Sequence, residues 1–192
     1  MINEHFLEEP NILDMSKEIF NSVVDKDLKV ETRFQLLSKK IQDAETINFI
    51  LADGLGFLNL QSTDSFLNEY LNSSINTTFP SSTNVALTTI ATLKSPIEHG
   101  IFGYYMYDKS NYGLINALNW NTENKNLLQS KYFNSQSSVW SIFKESSIYA
   151  SNFQPRNLIN TPLSSFLYEE NSTVPYISHE DLLITMSDSL FL

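Results

Sequence analysis

Two residues of this chain have side chains and neighbours that suit chemistry at a phosphorus atom. Asp53 follows the apolar run Ile47–Ala52, and Thr83 opens the apolar-periodic stretch Val85–Leu93. If the run is a buried strand and the stretch is a helix, a carboxylate lies at the carboxyl end of a strand and a hydroxyl lies at a helix N-terminus. Such a carboxylate can bind a metal ion, and such a hydroxyl can attack a phosphoryl group held by the backbone N–H groups of the helix.

Both residues also have simpler explanations. Asp53-Gly54 is a common turn dipeptide, and a Thr before an apolar-periodic run often serves as the helix N-cap. The two interpretations of Thr83 are compatible, because a helix N-terminus favours a capping oxygen and an anion for the same electrostatic reason. His99, within Pro96–Gly100, is expected to be a turn histidine bonded to backbone rather than a catalytic base.

The elements that must position these residues follow from apolar spacing. The pattern predicts two short apolar strands and a series of helices between and around them. The predicted strands are Ile47–Ala52 and Ile148–Ala150, and the predicted helices lie at 12–23, around 34–37, at Ser62–Leu71, Val85–Leu93 and Ser137–Ser146, and after a capping box that begins at Ser178. This alternation favours an α/β layered sheet. No linker rich in Pro, Gly or Ser interrupts the chain, so we expect a single domain over residues 1–192, with residues 1–45 as its helical N-terminal extension.

Composition narrows the classes of protein. The 192 residues are 42% hydrophobic and 12% aromatic, which suits a globular protein with a core. The net charge of −10 argues against binding to a nucleic-acid backbone, and the absence of cysteine excludes disulfides and a thiolate nucleophile. No basic and apolar leader begins the sequence, and no apolar run approaches the roughly 18–20 residues of a membrane span. We therefore expect a soluble, cytoplasmic protein with no membrane contact.

Four segments carry a resemblance to a known family. They are Ala52-Asp53-Gly54-Leu55-Gly56, Phe79-Pro80-Ser81-Ser82-Thr83, Ala91-Thr92, and Ser95-Pro96-Ile97-Glu98-His99-Gly100-Ile101-Phe102-Gly103-Tyr104. In this order and spacing, residues 47–108 resemble the N-terminal half of the type I phosphodiesterase and nucleotide pyrophosphatase family, within the alkaline phosphatase superfamily. The resemblance implies a mixed sheet with helices on both faces and two divalent metal ions, usually zinc. It also implies that Asp53 is a metal ligand and that Thr83 is both a metal contact and the nucleophile.

The chain departs from the family pattern at three points. Leu93 replaces the glycine that usually follows the Ala-Thr pair, and Tyr104 stands where nucleotide pyrophosphatases have an Asn that donates to a phosphate oxygen; a Tyr hydroxyl can donate instead. The family draws its other metal ligands from an Asp with a His four residues on, an Asp-His pair and a further His, and this chain has three His and neither pattern. We therefore expect only the N-terminal portion of the fold, with part of the metal site missing.

The predicted function is metal-dependent hydrolysis of a small phosphate ester or nucleotide, in which Thr83 attacks phosphorus and forms a phospho-threonine intermediate. The alternative is a catalytically inactive fragment, or one subunit of a split enzyme. A second chain or a second copy would then cover an open core. A sulfatase or mutase relative is a third alternative, but those enzymes use a Cys-derived or Ser nucleophile, and Thr83 argues against them.

Overall fold

The computed structural model describes residues 9–25, 35–109, 113–122, 138–168 and 172–189, in two compact units, 1–78 and 79–192. Helices and two small sheets make up the described secondary structure. The α/β prediction is therefore confirmed. One alkaline-phosphatase-like sheet with helices on both faces, and a single domain over the whole chain, stay predictions.

The first unit begins with the helix α1, Ile12–Val24, as the apolar spacing predicts. Asn11 caps it: its Oδ1 accepts from the N–H of Leu13 at 2.8 Å, and the Asp14 carboxylate accepts from the N–H of Asn11 at 3.0 Å. This reciprocal capping box satisfies N–H groups that have no partner within the helix. The helix α2, Gln35–Gln42, packs against α1 and confirms the second predicted helix.

The predicted strand Ile47–Ala52 is wrong. The segment has no regular secondary structure, its side chains are exposed, and Ile50 is 75% exposed. An apolar run becomes a buried strand only where neighbouring strands pair its backbone and other elements cover its faces. Among the described residues, no strand pairs with this run.

The predicted helix Ser62–Leu71 is also wrong in extent. The structure has a short helix α3, Phe57–Gln61, and then a separate 3₁₀ helix, Phe66–Tyr70. The hydroxyls between them bond to the backbone: Thr63 Oγ1 donates to the Leu60 carbonyl at 2.9 Å, and Ser65 Oγ accepts from the N–H of Leu67 at 3.3 Å. Ser and Thr that bond locally to backbone favour helix ends over helix interiors.

Within its described residues, the second unit contains five helices and both sheets. Its helices are α4 Thr83–Thr92, α5 Pro96–His99, α6 Val139–Glu145, α7 Pro162–Leu167 and α8 His179–Ser189. The strands β1 Tyr105–Asp108, β2 Gly113–Asn116 and β3 Asn121–Thr122 form an antiparallel sheet in chain order. The strands β4 Ser151–Pro155 and β5 Ser172–Tyr176 are parallel, with α7 between them in the chain. The predicted helices at 85–93, at 137–146 and after Ser178 are confirmed.

The second predicted strand, Ile148–Ala150, is wrong in position. The chain leaves α6 through a turn at Ser147, whose φ is 57°, and enters the ladder at Ser151, which pairs with Ser172. The buried residues of β4 are Asn152 and Gln154. Because these inward side chains are polar, hydrophobic alternation does not reveal the strand.

The helix α4 contributes to the core of the second unit. Val85 and Ala91 are buried in one cluster with residues from the antiparallel sheet and from α7. The cluster comprises Val85, Ala91, Ile101, Ile115, Ala117, Trp120, Leu163 and Leu167. This core fixes the helix whose first residue is Thr83. Within the described ranges, no helix is both long enough and apolar enough to cross a membrane.

Candidate functional site

Thr83 is the first residue of α4, and the N-cap is Ser82. Ser82 has extended backbone angles, φ −111° and ψ 152°, and its carbonyl accepts the first helical hydrogen bond from the N–H of Ala86 at 3.0 Å. The interpretation of Thr83 as the N-cap is therefore wrong by one residue. The half-buried Thr83 side chain instead lies at the opening of the first helical turn.

The side chain of the N-cap residue does not cap the first turn of α4. Ser82 makes no capping hydrogen bond, and its hydroxyl donates to Asn84 Oδ1 at 2.9 Å. The N-terminal N–H groups of a helix have no partner within the helix, and together with the helix dipole they attract anions. An oxyanion can therefore accept from the first turn of α4 where a capping oxygen usually would.

Tyr104 lies against Thr83. Its hydroxyl donates to Thr83 Oγ1 at 3.2 Å. The loop that carries Tyr104 is held by the fully buried Asn84, whose Nδ2 donates to the Gly103 carbonyl at 2.8 Å. The sequence singles out Thr83 and Tyr104, twenty-one positions apart, and the fold brings them together.

His99 links the same loop to α4. Its Nδ1 accepts from the N–H of Ile101 at 3.1 Å, so its Nε2 carries the proton and donates to Thr89 Oγ1 at 3.0 Å. The side chain is only 2% exposed, and burial lowers its pKa from 6.5 to about 4, although the nearby Glu98 carboxylate opposes that shift. His99 is therefore a neutral structural residue at neutral pH. Its predicted bond to backbone is confirmed, but it is the last residue of the helix α5 rather than part of a turn.

Asp53 lies in an exposed turn of the first unit. The N–H of Leu55 donates to the Ala52 carbonyl at 3.4 Å, and Gly54 has a φ of 79°, a conformation that suits glycine. The turn interpretation of Asp53-Gly54 is confirmed. Asp53 and Thr83 belong to different units, and the role of Asp53 as a metal ligand stays a prediction.

Sequence comparison adds the family to this geometry. Residues 15–182 match the sequence model of the type I phosphodiesterase / nucleotide pyrophosphatase family. The chain belongs to this family. Comparison with curated proteins and with solved structures gives no match. The type I phosphodiesterase / nucleotide pyrophosphatase family consists of phosphoric-ester hydrolases, generally metal-dependent, that act on small phosphate esters or nucleotides.

A complete zinc site does not form among the described residues. No three His, Asp or Glu side chains within them group closely enough to hold a metal ion. A zinc ion needs about three or four ligands, whether the site is structural or catalytic. The side chains that the structure describes therefore do not fit the two-ion site that the family implies.

Asn84 is a residue of the candidate site that sequence reasoning missed. It is fully buried at the start of α4 and links Ser82 to the Tyr104 loop through its two side-chain hydrogen bonds. The signal in the sequence was the polar amide of Asn84, which stands between Thr83 and the apolar Val85 where the apolar stretch of the helix begins. A buried amide needs hydrogen-bond partners, and this requirement could have predicted a structural link.

Proposed function

We propose that this chain hydrolyses a small phosphate ester or nucleotide in a metal-dependent reaction, with Thr83 as the nucleophile. Membership of the family supports the reaction class. The observation that carries the choice of residue is the Thr83 hydroxyl at the uncapped N-terminus of α4. That arrangement provides an attacking oxygen beside a site that favours a phosphoryl anion.

The reaction begins with attack of Thr83 Oγ on phosphorus. The hydroxyl proton leaves to a base, the Oγ–P bond forms, and the bond from phosphorus to the leaving oxygen breaks with its electron pair. N–H groups of the first turn of α4 stabilise the negative charge on the phosphoryl oxygens. Water then attacks phosphorus, and the bond between phosphorus and the Thr83 oxygen breaks with its electron pair. That oxygen takes up a proton from the attacking water, which restores the hydroxyl and releases phosphate or a phosphomonoester.

The proposed metal dependence assigns Asp53 as one ligand and Thr83 as a contact, with two divalent ions, zinc being the expected one. The remaining ligands of this proposal lie outside the described residues.

One subunit of a split enzyme, or a catalytically inactive fragment, is the second candidate. The observation in its favour is that the described residues bring no three metal-ligating side chains together. A cytoplasmic location is also part of the proposal.

Hydrolysis of an aryl phosphodiester with added zinc tests the proposal. We expect slow turnover that depends on zinc and is abolished by Thr83→Ala. The matched control is Thr63→Ala, which removes the same atoms from an exposed threonine at the end of α3. Turnover equal in wild type and Thr83→Ala would contradict the nucleophile. No turnover in any of the three proteins would favour the second candidate.

A further inference from the structure

The hydrogen bond from Tyr104 to Thr83 is not needed to satisfy a buried polar group. The Tyr104 side chain is 44% exposed, so burial does not force it to find a partner there. Its hydroxyl nevertheless donates to Thr83 Oγ1 at 3.2 Å. The contact therefore fixes the hydroxyl oxygen of Thr83 rather than satisfying a buried phenol.

Buried groups hold the backbone of Tyr104 in place. On one side, Asn84 Nδ2 donates to the carbonyl of the preceding residue, Gly103, at 2.8 Å. On the other side, the N–H of the buried Ala117 donates to the Tyr104 carbonyl at 2.7 Å. Because both α4 and the end of β2 are bonded to the loop, the backbone position from which the Tyr104 side chain reaches Thr83 is fixed.

We infer that Tyr104 is a positioning residue for the nucleophile, an inference that rests on the proposed function. A hydroxyl oxygen has two lone pairs. When one accepts from Tyr104, the Thr83 side chain is held in one rotamer and the other lone pair keeps a fixed direction for attack. Alignment of the attacking atom lowers the barrier because little orientational freedom is lost in the transition state.

The Tyr104 hydroxyl also stabilises the negative charge that develops on the Thr83 oxygen. Thr83 Oγ gains negative charge as it loses its proton, and a preorganised O–H donor stabilises that charge without reorganising. Tyr104 keeps its own proton throughout, so it transfers no proton to or from the reacting groups. The effect falls on the rate of attack rather than on the binding of substrate.

Nuclear magnetic resonance tests the contact without relying on activity. We expect the ¹⁹F resonance of 3-fluorotyrosine at position 104 to shift in Thr83→Val, which has the shape of threonine without its hydroxyl, and to stay near its wild-type position in Thr83→Ser. The 3-fluorotyrosine resonance of the neighbouring, 64% exposed Tyr105 is the control and should respond to neither change. A position-104 resonance that ignores Thr83→Val would overturn the inference.

Kinetics separate the inference from the proposed function. We expect Tyr104→Phe to lower kcat for the zinc-supported reaction by about 10²-fold, the loss typical of one preorganised donor, with KM nearly unchanged. Tyr105→Phe removes the same atom from the next residue and should leave kcat unchanged.

The outcomes distinguish the two ideas. Thr83→Ala with wild-type turnover contradicts the proposed function, whatever the resonance shows. Thr83→Ala without turnover, combined with wild-type kcat in Tyr104→Phe, preserves the nucleophile and overturns the role of Tyr104.

Discussion

Leu93 has a backbone conformation that is unfavourable for its side chain. It ends α4 with φ 53° and ψ 33°, in the left-handed region. At a helix C-terminus this conformation is usually taken by glycine, because a Cβ atom approaches the following carbonyl oxygen. The family's preference for glycine at this position thus has a conformational reason.

Substitution of Leu93 measures the free-energy cost of this left-handed conformation. We expect Leu93→Gly to be more stable than Leu93→Ala by about 1 kcal/mol, because both variants lose the leucine side chain and only alanine keeps the Cβ strain. The free energies of unfolding in urea give the comparison. Equal stability of the two variants would mean that Leu93 is not in the left-handed region in solution.

Asp53 gives a second prediction at the residue scale. If its carboxylate is a zinc ligand, Asp53→Asn should weaken zinc binding at least about tenfold, a loss that even outer-shell partners produce. Isothermal titration with zinc chloride measures the change in Kd. Asp64→Asn, at an exposed carboxylate of the same unit, is the control. The same Kd in wild type and Asp53→Asn would leave Asp53 as a turn residue only.

The connection between α4 and the Tyr104 loop depends on a neutral His99. Burial lowers the pKa of His99 to about 4, below its ordinary value of 6.5. Between these values the unfolded chain binds a proton that the folded chain does not, so the stability contributed by the neutral imidazole is fully present above about pH 6.5. It is lost as the pH falls towards 4.

The pH dependence of unfolding checks this connection. Between pH 7 and pH 4.5, wild type should lose roughly 2 kcal/mol more stability than His99→Gln, since one pKa unit corresponds to about 1.4 kcal/mol. Urea unfolding at several pH values gives the difference, and His179→Gln, at an exposed histidine, should follow wild type. Parallel curves for wild type and His99→Gln would contradict a buried, neutral His99.

Sequence predicted those elements whose signals are local. α1, α4, α6 and α8 are recognisable from apolar spacing and from capping residues within a few positions. The apolar run Ile47–Ala52 misled because a strand exists only where another strand pairs with it, and no short window of sequence contains that information. In the site, Thr83 and Tyr104 were identified by motif. The hydrogen bonds of Asn84 and His99, which link α4 to the segment before Tyr104, depend on the folded chain.

At the scale of the whole molecule, exposed apolar side chains are concentrated between residues 47 and 71. They are Ile47, Phe49, Ile50, Leu51, Leu55, Phe57, Leu58, Phe66, Leu67, Tyr70 and Leu71. In the second unit, Leu183 is exposed, whereas Ile148 and Phe153 are half-buried. Large exposed apolar patches are unusual on monomers and promote association.

We therefore expect the purified chain to self-associate, to aggregate or to need a partner. Light scattering should give a mass above 22.0 kDa that grows with protein concentration. The paired change Ile50→Lys and Leu58→Lys should reduce association. Ile97→Lys, at an exposed side chain outside this segment, should not. A monodisperse monomer with a sharp cooperative melt would contradict the prediction.

The most direct test of the account is to detect phosphorylated Thr83. The chain is mixed with zinc and an aryl phosphodiester, quenched in acid within one turnover, digested and examined by mass spectrometry. The account predicts a phosphoryl adduct on Thr83 that disappears in Thr83→Ala and remains in Thr63→Ala. Zinc-dependent hydrolysis with no adduct on Thr83, or with an adduct on another residue, would contradict it.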